Sequence, residues 1–185
     1  MVTSIVTGAA GFIGSHLVDT LLSQGERVIG VDQFNDYYDP LLKWKNVSGF
    51  MNHPNFRLIE ADIQFLDWQA LLADVEIVYH QAAQAGVRAS WGAGFRSYTE
   101  RNINATQVIL EAAKDAKQLK RFVYASTSSV YGNAETLPTY ETIVPQPVSP
   151  YGITKLATER LCDLYHHNFG VPVCSLRYFT VYGPR

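Results

Sequence analysis

Cysteine, long apolar runs and any excess of one charge are all scarce in this chain of 185 residues. Fifteen Lys and Arg face seventeen Asp and Glu, and the net charge of −2 offers no basic footprint for nucleic acid or an anionic membrane surface. No apolar stretch is long enough to span a bilayer, and the start Met1-Val2-Thr3-Ser4 has neither a basic n-region nor an apolar h-region. These features predict a cytoplasmic protein with no nucleic-acid and no membrane partner. The two cysteines, Cys162 and Cys174, form no CxxC pair and fit a reducing compartment. Cys162 and His166 share a helical face beside His167, but no further ligand is spaced to complete a metal site, so none is expected. His16 and His80 lie in apolar surroundings and read as packing residues.

Hydrophobic residues make up 47% of the chain and charged ones 17%, enough to build a sizeable core. Apolar and β-branched runs predict strands at 2–7, 27–32, 56–60, 75–80, 120–126 and 172–177. Helical periodicity falls at 12–24, 64–73, 97–118 and 149–169, the last opened by Ser149-Pro150. This alternation predicts an α/β fold, a doubly wound parallel sheet of the Rossmann type, forming a single domain over residues 1–185.

The first strand runs into Gly8-Ala9-Ala10-Gly11-Phe12-Ile13-Gly14 before a helix. Glycines at a strand-to-helix turn let the backbone approach a pyrophosphate, and the helix-terminal N–H groups face the phosphates. Gly8, Gly11, Phe12, Ile13 and Gly14 are therefore candidate dinucleotide contacts. Asp32 ends the second strand at the distance of the acidic residue that binds a ribose diol, and its charge would repel a 2′-phosphate, which favours NAD over NADP. Asp62 and Ile63 follow the third strand and are placed at the adenine pocket. Farther on, Tyr151 and Lys155 stand four apart on one helix face, so that Lys155 can approach the phenol and stabilise its phenolate. Tyr151 thus becomes a candidate base. The strand before it ends in the hydroxyl cluster Ser126-Thr127-Ser128-Ser129, where an open parallel sheet binds ligands; a serine-rich turn serving its own backbone is the alternative.

Taken in order, Thr7 to His16, Asp32, His80-Gln81-Ala82-Ala83, Asn102, the hydroxyl cluster, Tyr151 to Lys155 and Leu176 to Pro184 resemble the extended short-chain dehydrogenase/reductase superfamily, in its NAD-dependent sugar epimerase/dehydratase family. The likeness covers Val2 to Arg185. Phe34-Asn35-Asp36-Tyr37-Tyr38-Asp39, Gln84-Ala85-Gly86-Val87-Arg88 and Phe179 to Pro184 are most similar to the UDP-glucuronate 4-epimerase branch. The resemblance implies an isomerase that interconverts UDP-glucuronate and UDP-galacturonate through a 4-keto intermediate. It further implies Thr127, Tyr151 and Lys155 as catalytic residues, with Ala82, Ala83, Asn102 and Tyr178 joining the NAD contacts. Arg88, Ser128, Ser129 and Thr180 would bind the UDP-sugar.

Serines at 128 and 129, where related dehydratases and decarboxylases carry an acidic residue, favour epimerisation. Thr180 replaces the asparagine of galactose-type enzymes, and Trp91-Gly92-Ala93-Gly94-Phe95 departs from the family's proline-containing stretch. Members of the family continue into a smaller substrate-binding domain, so the resemblance implies a chain truncated before that domain. It also implies a homodimer formed by the helices near 97–118 and 149–169, although Ile103, Val108, Ile109, Leu156, Leu161 and Leu164 could equally face the sheet. A UDP-glucose 4-epimerase, a nucleotide-sugar dehydratase and a catalytically silent NAD-binding module stand as alternatives.

Overall fold

The computed structural model describes residues 1–133 and 137–185. Strands β1 (Thr3–Thr7), β2 (Arg27–Asp32), β3 (Phe56–Glu60), β4 (Ile77–His80), β5 (Arg121–Thr127) and β6 (Val173–Tyr178) form one sheet in the order β3-β2-β1-β4-β5-β6. Every neighbouring pair is parallel. Parallel strands need crossover connections that cover both faces, which is why these segments read as apolar runs rather than strict alternations. The winding direction reverses between β1 and β4, and a crevice opens beyond the carboxyl ends of those two strands.

Helices α1 (Phe12–Ser23) and α2 (Pro40–Val47) cover one face, where Val18, Leu21, Leu22 and Val47 pack with Val6 and Val28. The other face is closed by α3 (Trp68–Leu72), a short α4 (Phe95–Tyr98), α5 (Ala105–Ala113) and α6 (Pro150–Phe169). There Trp68, Leu72, Ile109, Leu110, Cys162 and Tyr165 pack with Ile5, Val78 and Phe122. Each fully buried side chain of this size contributes about 1.5–3 kcal/mol. No helix of the described residues is long and apolar enough to cross a membrane.

The strands fall within two residues of their expected bounds. Helices differ more. Residues 40–47 form α2, which the periodicity did not reveal: Asp39 caps it by accepting from Leu41 N at 3.0 Å, and Pro40 opens it. The expected helix 64–73 is split, because Asp62 caps a 3-10 turn at Ile63–Phe65 and Asp67 caps α3 through Ala70 N. The segment expected at 97–118 is helical from Phe95 to Ala113 but widens into a π turn over Thr99–Asn104. That turn carries Asn102 inward, toward bonds described below. Ser149 caps α6 by accepting from Gly152 N at 3.1 Å, and Gly170 ends it at φ +73.

A buried carboxylate and a half-buried guanidinium fasten α6 to the sheet. Glu159 accepts from the Ser126 hydroxyl and, in fork geometry, from Arg177 Nε at 3.0 Å and Nη2 at 2.8 Å. Arg177 lies over the Tyr131 ring at 4.7 Å, and the Glu159 ion pair pushes its pKa up. Removing one partner of such a pair strands the other charge. Arg177→Met is expected to destabilise the chain by about 3 kcal/mol in urea denaturation, and the double change Glu159→Gln, Arg177→Met to restore a measurable part of that loss.

Candidate active site

The glycine turn is built by close approach. A Cβ on Gly14 would stand 2.0 Å from the Gly8 carbonyl oxygen, so α1 meets β1 only without one there. Gly8 has φ +67 and would bring a Cβ within 2.9 Å of Ala82 N, on the loop after β4. No side chain caps the start of α1, and its first turn holds no acidic residue. The uncapped N–H groups and the positive end of the helix dipole suit an anionic group beside Gly11.

A cleft opens from this turn, lined by Gly8, Gly11, Asp32, Asp62, Ile63, Ala82 and Ala83 among others. These are seven of the residues expected to contact the dinucleotide. Asp32 is held by Ala10 N at 3.2 Å, Phe34 N at 2.9 Å and Lys43 Nζ at 3.0 Å. Tyr37 and Tyr38, from the motif after β2, also line the cleft, as do Lys43 and Arg101, which no pattern in the sequence singled out. The Gln81 side-chain amide lines it too, and neither its oxygen nor its nitrogen has a hydrogen-bond partner among the described residues. A buried amide without partners is costly in a protein interior, and a polar ligand in the cleft would satisfy it.

Asn102 takes a different place from the cleft liners. Its Oδ1 accepts from Gln84 N at 2.7 Å, and its Nδ2 donates to Gln84 O at 3.1 Å and to Thr154 Oγ1 at 3.0 Å. The side chain is thereby committed to joining the loop after β4 to α6. His80 is fully buried as expected, but its surroundings are polar. Its Nδ1 lies 2.7 Å from Thr7 Oγ1 and its Nε2 lies 2.9 Å from Thr106 Oγ1. Thr106 donates to Asn102 O, so its lone pair receives the Nε2 proton; Nδ1 of the neutral ring then accepts from Thr7, whose Oγ1 also takes the Ala82 N–H. The imidazole is neutral, and burial, followed by the Lys155 charge, pushes its pKa down to about 3.

At the end of β5, Thr127 Oγ1 accepts from Ser129 N at 3.2 Å and starts a 3-10 turn over Ser128–Val130. Gly152 lets the start of α6 approach this turn, since a Cβ there would meet Ser129 O at 2.8 Å. Tyr151 is consequently set beside the hydroxyl cluster, with the Tyr98 ring edge-on at 6.1 Å. Lys155 Nζ donates to Ala125 O at 2.7 Å and lies 4.7 Å over the Tyr124 ring. A buried ammonium takes the nearest carbonyl, and burial pushes its pKa down to about 7. Tyr151 has its pKa raised by burial, which the neighbouring Thr127 hydroxyl opposes, so it is a phenol at neutral pH in this structure.

Ser128 and Ser129 are half-buried, and Tyr178 ends β6 in register with Thr127. Thr180 and Arg88 are exposed, and Arg88 sits in a 3-10 turn at Arg88–Ser90. Phe12 faces outward from the glycine turn, edge-on to His16 at 5.6 Å and against Gly183. No three His, Cys, Asp or Glu among the described residues converge as a metal site.

Residues 4–185 match the sequence profile of the NAD dependent epimerase/dehydratase family. The chain belongs to that family. Among curated relatives, it is 45% identical to the uncharacterized UDP-glucose epimerase YtcB of Bacillus subtilis, over 98% of this chain and 57% of the relative. It is 41% identical to a UDP-glucuronate 4-epimerase of Thermodesulfobacterium geofontis, over 97% of this chain and 56% of that protein. The crystal structure of UDP-glucuronic acid 4-epimerase from Bacillus cereus, in complex with UDP-glucuronic acid and NAD, superimposes with a TM-score of 0.95 at 48% identity, over 99% of this chain and 58% of the other. The chain therefore spans little more than half the length of each of these three proteins.

Burial of Lys155 has a consequence for stability. Its folded pKa of about 7 lies below the ordinary value of 10.5, so above pH 7 the unfolded chain binds the extra proton and stability rises with pH. Cys162, pushed up to about 12, acts in the opposite direction above its ordinary value of 9.0. Between about pH 7 and 9 the nucleotide-stripped chain is expected to gain stability with a slope approaching ~1.4 kcal/mol per pH unit, and Lys155→Met to flatten that slope in denaturation experiments.

Proposed function

We propose that this chain is the dinucleotide-binding and catalytic part of an NAD-dependent UDP-sugar 4-epimerase, acting on UDP-glucuronate and UDP-galacturonate. The observation that carries the reading is the match, over nearly the whole chain, to an epimerase structure holding UDP-glucuronic acid and NAD. NAD suits the donor set on the cleft: the uncapped start of α1 for phosphates, Asp32 for a ribose diol, and the unpartnered Gln81 amide. Residues 1–185 read as one dinucleotide-binding domain, with the smaller substrate-binding domain outside them.

NAD bound in the cleft would supply a reversible hydride acceptor for carbon 4 of the sugar. The Tyr151 phenol must first lose its proton to solvent; its phenolate Oη then takes the proton of the 4-hydroxyl as that carbon becomes a ketone, and returns it when the opposite configuration forms. Thr127 Oγ1 would hydrogen-bond the same oxygen, and Lys155 would orient Tyr151 and the nicotinamide ribose. Ser128, Ser129, Thr180 and Arg88 address the sugar carboxylate and its diphosphate. Serines at 128 and 129 provide no acid or base for eliminating water. Exposed Leu164 and Ile153 on α6 support a homodimer through that helix, whereas Ile109 of α5 is spent on the sheet. A cytoplasmic location is supported by the two free cysteines.

The Bacillus subtilis relative's name favours UDP-glucose as a second substrate reading. Incubation with each UDP-sugar, followed by NMR of the carbon-4 configuration, separates the two. The expected result is UDP-galacturonate from UDP-glucuronate, with Tyr151→Phe slowing its formation by about 10²–10⁴-fold without loss of bound NAD. Preferential turnover of UDP-glucose would support the second reading. Bound NAD with no turnover of either sugar would mean an intact dinucleotide half that lacks the substrate-binding domain.

A further inference from the structure

Two loops that line the cleft are joined by a hydrogen bond. One wall is the loop after β2, where Asp32, Gln33, Asn35, Tyr37 and Tyr38 face the cavity; the other is the loop after β4, from Gln81 to Gln84. Tyr37 Oη donates to Ala85 O at 2.9 Å. Among the described residues this is the single hydrogen bond between segments 33–39 and 81–88. The receiving wall is held firmly: Tyr98 Oη also reaches the Ala85 and Gly86 carbonyls at 2.8 and 2.7 Å, and Gln84 is bound by Asn102 and Arg101. Gly86 completes the seat, because at φ +101 its Cβ would stand 2.8 Å from the Tyr37 hydroxyl. The donating wall is looser. Tyr37 is half exposed, and the loop begins at Phe34 with φ +47, a strained value for a bulky residue.

We propose that Tyr37 is a latch: its hydrogen bond to Ala85 straps the 33–39 loop over the dinucleotide and sets how fast NAD enters and leaves. The proposal rests on the cofactor reading above. An epimerase regenerates its NAD in each cycle, so slow exchange costs it nothing and protects the reduced form from loss. The latch needs no contact between Tyr37 and the bound molecule. It holds the loop in the closed position whether or not a ligand is inside, so both entry and exit wait for the same opening.

That symmetry gives the test. Labelled NAD is loaded onto nucleotide-stripped wild-type chain and onto Tyr37→Phe, uptake is followed by stopped-flow fluorescence, and release is followed by chase with unlabelled NAD. Loss of one hydrogen bond of ordinary strength is expected to speed uptake and release together by roughly fivefold, with the dissociation constant changed less than about twofold and the unfolding midpoint of the stripped protein nearly unaltered. Unchanged rates in Tyr37→Phe would overturn the latch. Faster release alone, with weaker affinity, would also overturn it and make Tyr37 an ordinary ligand contact. A wild-type chain that takes up no NAD would instead overturn the cofactor reading, and the latch with it.

Discussion

Burial of charge along one face of α6 is the constraint on which the catalytic end of this molecule depends. Lys155 and Glu159 lie one turn apart and are almost wholly removed from water. Neither could remain there unpaired, since the cost of an isolated buried charge exceeds any gain from packing the helix. Their partners all belong to β5 and β6: the Ala125 carbonyl and Tyr124 ring for Lys155, Ser126 and Arg177 for Glu159. The helix can therefore dock in one rotation and at one height. Tyr151, one turn before Lys155, is delivered beside Thr127 as a result, and Gly152 permits the last close approach to the Ser129 carbonyl.

A second polar layer, around Asn102, connects this docking to the dinucleotide cleft. Hydrogen bonds run from Ala82 N through Thr7, His80 and Thr106 to the Asn102 carbonyl, which also accepts from Thr158 on α6. The imidazole within it is neutral, with Nε2 donating to Thr106 and Nδ1 accepting from Thr7. The series spans β1, β4, α5 and α6, so the loop that lines the cleft and the helix that carries Tyr151 are set by one network. Such networks specify a single arrangement when fully satisfied. The widened turn at Thr99–Asn104 is part of the same design, because a regular helix would not carry the Asn102 amide and carbonyl to both neighbours.

Much of this was legible in the sequence where local chemistry decides the outcome. The strands follow from β-branched apolar runs, α6 from Ser149, Pro150 and Gly170, and the glycine turn from its spacing. Asp32, Asp62 and Ile63 meet in the cleft as their positions after successive strands implied, and Ala82 and Ala83, which the family resemblance implied, line it with them. What escaped notice depends on pairing across the fold. Helix α2 is short and mostly exposed, so its apolar periodicity is weak, although Asp39-Pro40 carried a capping signal. Lys43 is one lysine among Leu41, Leu42 and Trp44 until the fold sets it against Asp32. His80 reads as an apolar packing residue because its threonine partners are 73 and 26 residues away. The Lys155 ammonium was placed by helical spacing alone, and that spacing omits the Ala125 carbonyl that holds it.

The central claim is that Gly8, Gly11, Asp32 and Gln81 line a cleft for a dinucleotide without a 2′-phosphate. Calorimetric titration of the purified, nucleotide-stripped chain with NAD, and separately with NADP, tests it most directly. The account predicts saturation near one NAD per chain, with NADP at least about tenfold weaker because its phosphate would meet the Asp32 carboxylate. No heat with either nucleotide, or equal affinity for the two, would contradict it.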